Sequence, residues 1–293
     1  MLKRTVHYGM KLRIGLNQMI EKEVLLRGQK IHVKIQGDRS LPTLVCLHGF
    51  TGTSSTWKDL FEHFRGKYNV VAIDLTGHGR TTSPIDAIRY TMVEQVADLE
   101  ALFNEMALTN FTLIGYSMGG RIAIAYTHTY PHRVASLILE SASPGLKSEQ
   151  ARIERKAADA QLAKQIQAEG ILAFVDFWQE VPLFNSQKKM PRTKQVEVRK
   201  ERLSQDTVGL ANSLLGIGTG SQRSYWDDLS MIHIPVLLLT GEIDKKFVNI
   251  AREMKEVFPQ AEHITVKDTG HAIHVEKPTV FATMVEEHMN NLN

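Results

Sequence analysis

Cysteine is almost missing from this chain: one residue, Cys46, in 293. No disulfide can form within it, which fits a reducing compartment, and a cytoplasmic location is expected. Cys46 sits in the apolar run Leu44-Val45-Cys46-Leu47 and reads as a small core residue rather than a reactive thiol. There is no cysteine or histidine spacing of the zinc-binding kind. Charge of one sign is also scarce. The net charge is +3, and no Lys/Arg block resembles a basic tail, so nucleic acid is not an expected partner. No apolar stretch approaches the ~18 residues of a membrane span. Internal repeats and low-complexity segments are absent. Residues 1–18 carry Lys3, Arg4, Lys11 and Arg13 but no apolar segment of the signal-peptide kind. Residues 1–22 read as a flexible extension or as the product of an upstream start codon.

What remains is an ordinary globular composition, 43% hydrophobic and 23% charged. At about 150 residues per domain, the length suits one α/β domain with an insertion, or two small domains. Glu23 to Ile35 reads as a hairpin turning at Arg27-Gly28-Gln29. Leu44–Leu47, Val70–Ile73, Phe111–Ile114, Ser136–Glu140, Val236–Thr240 and His263–Val266 read as strands. Helical stretches over Thr56–Phe64, Thr91–Glu105, Gly120–Tyr126 and Ile250–Phe258, and after Pro278, alternate with them. This alternation predicts an α/β fold with a mostly parallel, doubly wound sheet.

The rhythm breaks near Pro144. Ser148 caps a predicted helix that runs to Glu169 and stops at Gly170. Ile171–Gln179, Lys194–Ser204 and Leu210–Leu215 follow, with no strand between them. Residues 146–225 are therefore expected to form a helical cap. Residues 23–145 and 226–293 are expected to form the core. The alternative is that these helices only cover a sheet face.

Gly115-Tyr116-Ser117-Met118-Gly119 fits G-x-S-x-G between a buried strand and a helix. That is the setting of a nucleophile elbow, a sharp turn with a serine at its tip and small residues two positions to either side. A serine hydroxyl needs a histidine to take its proton, and the histidine needs an acid to fix its tautomer. Ser117, Asp244 and His271 occur in that order, each in a loop after a strand. His274 competes as base and Glu140 as acid, while Asp74 reads as the anchor of its own loop. The expected oxyanion donors are the backbone N–H groups of Met118 and Phe50. His48 reads as a brace for the loop that holds Phe50.

Arg121 follows Ser117 by one helical turn and can face the same cavity. A guanidinium there suits a carboxylate or phosphate held at two points. The plainer reading is a salt bridge to a cap carboxylate. The cap offers further cations in Arg152, Arg155, Arg192, Arg199 and Arg202, most of them expected on solvated faces.

HGFTG, DLTGHG, GYSMGG, GEID and GHAIH together resemble the α/β-hydrolase superfamily over about residues 23–293, with Thr76 where that family usually has proline. Within it, GYSMGGR, the run Ser141–Leu146, Phe174–Phe184, Arg199–Leu215 and GEIDKKF resemble 2-succinyl-6-hydroxy-2,4-cyclohexadiene-1-carboxylate (SHCHC) synthase, the pyruvate-eliminating lyase of menaquinone biosynthesis. The resemblance implies a small tricarboxylate substrate, 2-succinyl-5-enolpyruvyl-6-hydroxy-3-cyclohexene-1-carboxylate. It implies Ser117 as general base without an acyl-enzyme, and neither metal nor organic cofactor. It also implies Tyr116, Arg121, Arg155, Trp178 and Arg202 around the substrate. Two other readings stay open: a serine hydrolase of ester or carbon–carbon bonds, and a non-catalytic receptor on the same fold. Oligomeric state has no sequence signal here.

Overall fold

The computed structural model describes residues 18–292. Most of the expected extension, residues 1–17, lies outside them. Its last residues do not, because the first strand begins at Ile20 and not after residue 22. Eight strands form one sheet: β1 Ile20–Leu26, β2 Gln29–Gln36, β3 Thr43–Leu47, β4 Asn69–Ile73, β5 Phe111–Tyr116, β6 Val134–Glu140, β7 Val236–Gly241 and β8 Ala261–Val266. Their spatial order is β1-β2-β4-β3-β5-β6-β7-β8. β1 and β2 pair antiparallel, as does β2 with β4, and every pair from β4 to β8 is parallel.

The central strands are apolar throughout because helices cover both faces. Val45, Leu47, Leu113, Leu137 and Leu238 face one apolar cluster, and Leu44, Cys46, Ile114, Ile138 and Leu237 the other. The helices that cover the sheet are α1 (Lys58–His63), α2 (Met92–Glu105), α3 (Met118–Thr129), α7 (Lys245–Val257), the short α8 (Ile273–Glu276) and α9 (Pro278–Asn290). α7 begins five residues before the expected Ile250, because the Asp244 side chain accepts from Phe247 N at 3.4 Å and caps it.

Between β6 and β7 lie α4 (Glu149–Trp178), a 3₁₀ helix over Pro182–Lys189, α5 (Arg192–Leu203) and α6 (Thr207–Ile217). Gly170 has φ 80° and ψ 176°, so α4 is two helices joined at that residue, where the sequence signalled a stop. These helices have an apolar centre of their own in Ala163, Ile166, Phe174, Val175, Leu210 and Leu214, against which Phe50 of the core packs. Among the described residues, no helix is long and apolar enough to cross a membrane.

Candidate active site

Ser117 terminates β5 and holds φ 50°, ψ −106°, a strained conformation for a residue with a Cβ. The turn closes only with glycine on either side. A Cβ on Gly115 would lie 2.6 Å from Gly119 O, and one on Gly119 would collide with Leu47 O. The Ser117 amide donates to Glu140 O at 2.9 Å, tying the turn to β6.

The Ser117 Oγ lies 3.0 Å from His271 Nε2, and His271 Nδ1 lies 2.6 Å from an Asp244 carboxylate oxygen. With Nδ1–H donating to the carboxylate, Nε2 is left to accept the serine proton. Imidazole and carboxylate are both buried, so their interaction is little screened by water. Tyr116 packs 5.4 Å and Phe247 4.6 Å from the His271 ring, centre to centre, and fix its plane.

The competing pair is elsewhere. The Glu140 carboxylate accepts from His274 N at 3.1 Å and meets His274 Nδ1 at 2.8 Å. His274 Nε2 reaches Thr56 Oγ1 at 2.9 Å, and its ring stacks 4.5 Å from Trp57. Asp74 anchors its own loop and its neighbours, accepting from Ser54 N, Arg80 N and His32 Nδ1. Burial opposes its ionisation, but these donors and His48 prevail and hold it well below the usual carboxylate range. His48 accepts from Leu75 N at 3.0 Å and contacts Gly49 O at 2.8 Å, so it braces the loop after β3. Burial pushes its pKa down.

Ser117 opens onto a cavity of about 510 Å³ under the cap. Phe50 and Met118 line it beside the serine, as do Tyr116, Arg121, Arg155 and Trp178. Arg121 makes no salt bridge among the described residues. Its Nη1 donates to Ile217 O at 2.6 Å and to the Gln222 side-chain oxygen. Burial, helped by the charge of Arg155, lowers its pKa to about 10, which leaves it cationic at neutral pH. Arg155 spends one edge of its guanidinium on Asp159, at 2.8 Å. The buried Trp178 Nε1 has no hydrogen-bond partner among the described residues.

Arg202 is not on this cavity. It stacks 4.5 Å over Phe184 and donates to Gln187 Oε1 at 3.1 Å. It lines a side pocket of about 40 Å³ that it shares with Tyr116, Phe50 and Phe184. Arg152 donates to Leu146 O and Lys147 O. Arg199 pairs with Asp176, and with Arg192 it lines a separate surface pocket. Sequence reasoning missed Lys147 and Lys246, both on the main cavity. Lys246 stands two residues after Asp244, a strand-end position that could have flagged it. Among the described residues, the cavity lining carries four cations, of which Lys147 pairs with Glu253 at 2.6 Å and Arg155 with Asp159, while Arg121 and Lys246 make no salt bridge.

A family model described as alpha/beta hydrolase fold matches residues 42–278. A Bacillus subtilis protein that carries the name of a 2-succinyl-6-hydroxy-2,4-cyclohexadiene-1-carboxylate synthase is 41% identical over 265 residues, 90% of this chain and 96% of its own. The enzyme of that name from Salmonella agona is 30% identical, covering 83% of this chain and 91% of its own. Among solved structures, MenH from S. aureus superposes with a TM-score of 0.85 at 37% identity, over 89% of this chain and 98% of its own.

Proposed function

Because the chain belongs to the alpha/beta hydrolase fold family and, within it, to the SHCHC synthases, we propose that it eliminates pyruvate from 2-succinyl-5-enolpyruvyl-6-hydroxy-3-cyclohexene-1-carboxylate to give SHCHC. The observation that carries this reading is the charge of the cavity. A substrate with several carboxylates needs cations to meet them: Arg121 and Lys246 make no salt bridge among the described residues, and Lys147 and Arg155 can turn to the substrate from Glu253 and Asp159.

Ser117, His271 and Asp244 act as one unit. The Ser117 oxygen takes a proton from the substrate ring while its own proton passes to His271 Nε2, and Asp244 stabilises the imidazolium. The electron pair released moves through the ring as a dienolate and expels the enolpyruvyl oxygen. The departing enolpyruvate takes up the proton and becomes pyruvate, so the enzyme is restored without a covalent intermediate. The N–H groups of Phe50 and Met118 stabilise the oxyanion of the dienolate, Met118 from the positive end of α3. Arg121, Arg155 and the two lysines hold the carboxylates, and Tyr116 and Trp178 shape the wall. Arg202 would reach the substrate only by leaving Phe184. The elimination needs no electron carrier and no activated water, so the reading assigns no cofactor. With one cysteine in 293 residues, and so no disulfide possible within the chain, we place the enzyme in the cytoplasm.

The pre-formed Ser117–His271–Asp244 contacts equally suit a serine hydrolase, and that observation keeps a second reading in play. One experiment separates them. The enzyme is mixed with the enolpyruvyl substrate while pyruvate and the ring product are followed together. Equal amounts of both, with no burst and no acyl adduct on Ser117 by mass spectrometry, are expected. A burst with a covalent adduct would establish the hydrolase instead.

A further inference from the structure

The loop after β3, residues 48–53, carries the proposed Phe50 donor, and its far half is gripped by the cap. Gln205, just beyond α5, donates through Nε2 to Thr51 O and to Gly52 O, each at 3.3 Å. Its Oε1 accepts from Gly79 N in the neighbouring loop at 3.1 Å. Glu201, in the last turn of α5, accepts through Oε1 from Thr53 N at 2.9 Å and from Thr53 Oγ1 at 2.6 Å. Three consecutive residues after Phe50 are therefore tied to two side chains of the cap. Thr51, Thr53 and Gln205 are buried and Glu201 and Gly52 half-buried, which makes these bonds costly to leave unmade.

The backbone explains why such a grip is needed. Thr51 has φ 68°, a left-handed conformation that a threonine adopts only where its surroundings enforce it. Thr51 also shares the peptide unit whose carbonyl belongs to Phe50, so its φ sets the course of the chain directly behind the Phe50 donor. The Phe50 ring is held by the same body, 5.4 Å from Trp178 and 6.2 Å from Phe174. Burial holds the Glu201 carboxyl above its ordinary range, against the pull of its two donors.

We propose that Glu201 and Gln205 are positioning residues: through them the cap sets the aim of the Phe50 N–H in the oxyanion hole. This rests on the reading of Phe50 as an oxyanion donor, but not on the identity of the substrate. Arg202 lies between the two gripping residues on the same stretch of chain, so an anion drawn to it would tighten the same grip.

The test reads the oxyanion hole in two ways, by steady-state elimination and by the rate at which a fluorophosphonate labels Ser117, whose developing phosphoryl oxyanion uses the same donors. Gln205→Ala and Glu201→Ala should each lower kcat and the labelling rate by about tenfold or more, with KM changed less than about threefold, because the lost contact matters mainly in the transition state. Glu201→Gln keeps the accepting oxygen and should stay near wild type. Thermal melting identifies folded variants. If either alanine variant does not fold, Thr53→Val must slow labelling and Thr53→Ser must not. Wild-type labelling and kcat in the folded alanine variants, or in Thr53→Val, would overturn the proposal. So would a raised KM with unchanged kcat. A wild-type enzyme that releases no pyruvate, yet is labelled more slowly once Gln205 is removed, would sink the lyase reading and leave this one standing.

Discussion

Replacing Arg121 by alanine removes a cation that faces the cavity, makes no salt bridge among the described residues, and is steadied by two neutral acceptors, Ile217 O and Gln222. A charge so placed has its natural partner in the ligand. Truncating one member of a buried, hydrogen-bonded charge pair costs about 2–5 kcal/mol. At about 1.4 kcal/mol per factor of ten, that is roughly 30-fold to several-thousand-fold. Arg121→Ala should therefore lower kcat/KM for the tricarboxylate by at least about 30-fold. Arg121→Lys should recover part of it, since an ammonium cannot reproduce the planar two-point fork. The assay is pyruvate release across substrate concentrations, set beside fluorophosphonate labelling of Ser117 as a probe without carboxylates. Labelling should change little, because the serine, the histidine and the oxyanion donors are left in place. If both reactions fall by the same factor, Arg121 supports the cap through Ile217 and Gln222 rather than the substrate. The charge argument for the lyase would then lose its deepest cation.

The remaining expectations concern the triad, the cap and acid stability. Ser117→Ala, His271→Ala and Asp244→Asn should each remove most activity, with double variants no worse than the poorest single one; additive losses would show that the three do not act as a unit. Glu140→Gln should cost less activity than Asp244→Asn, because Glu140 serves His274; the reverse ranking would make Glu140 the acid that matters. A structure with bound product should show Arg155 within hydrogen-bond reach of a carboxylate, and Arg202 there only if it has left Phe184; both facing solvent would remove the cap from recognition. Asp74→Asn should destabilise the fold by about 3 kcal/mol at pH 7, as breaking a buried, hydrogen-bonded charge does. The folded pKa of Asp74 is depressed, so its contribution is present above the unfolded value near 3.8 and fades as pH falls through the lower folded value. Urea titrations at pH 7 and pH 3 should show the gap between wild type and variant narrowing, and a gap that widens would contradict the assignment.

Much of the site was legible in the chain because each of its parts is local. A nucleophile elbow needs a strand, a turn with glycine on both sides and a helix, and residues 111–126 present all three in order. Parallel strands deliver whatever follows them to one edge of the sheet, so Ser117, Asp244 and His271 group together from their places along the chain. The choice between Asp244 and Glu140, and between His271 and His274, has a different origin. Both acids stand at strand ends and the two histidines are three residues apart, so position along the chain favours Asp244 and His271 but does not show where Glu140 and His274 go. The strand order β5-β6-β7-β8 and the turn into α8 carry His274 beneath Tyr116 and onto Glu140, and leave His271 facing Ser117. The cap was harder to read for the same reason. α4 and α5, which carry its arginines, are polar over most of their surface, and which arginine points inward depends on how they pack on the apolar α6 around Phe174, Leu210 and Leu214. α4 presents Arg155 and Trp178 to the cavity and turns Arg152 onto Leu146 O, while the packing of α5 sets Arg199 against Asp176 and Arg202 against Phe184. The chain's own order determined the chemistry at the strand ends; the packing of helices on one another decided which charges reach it, because side-chain direction on a helix is fixed only when its neighbours are.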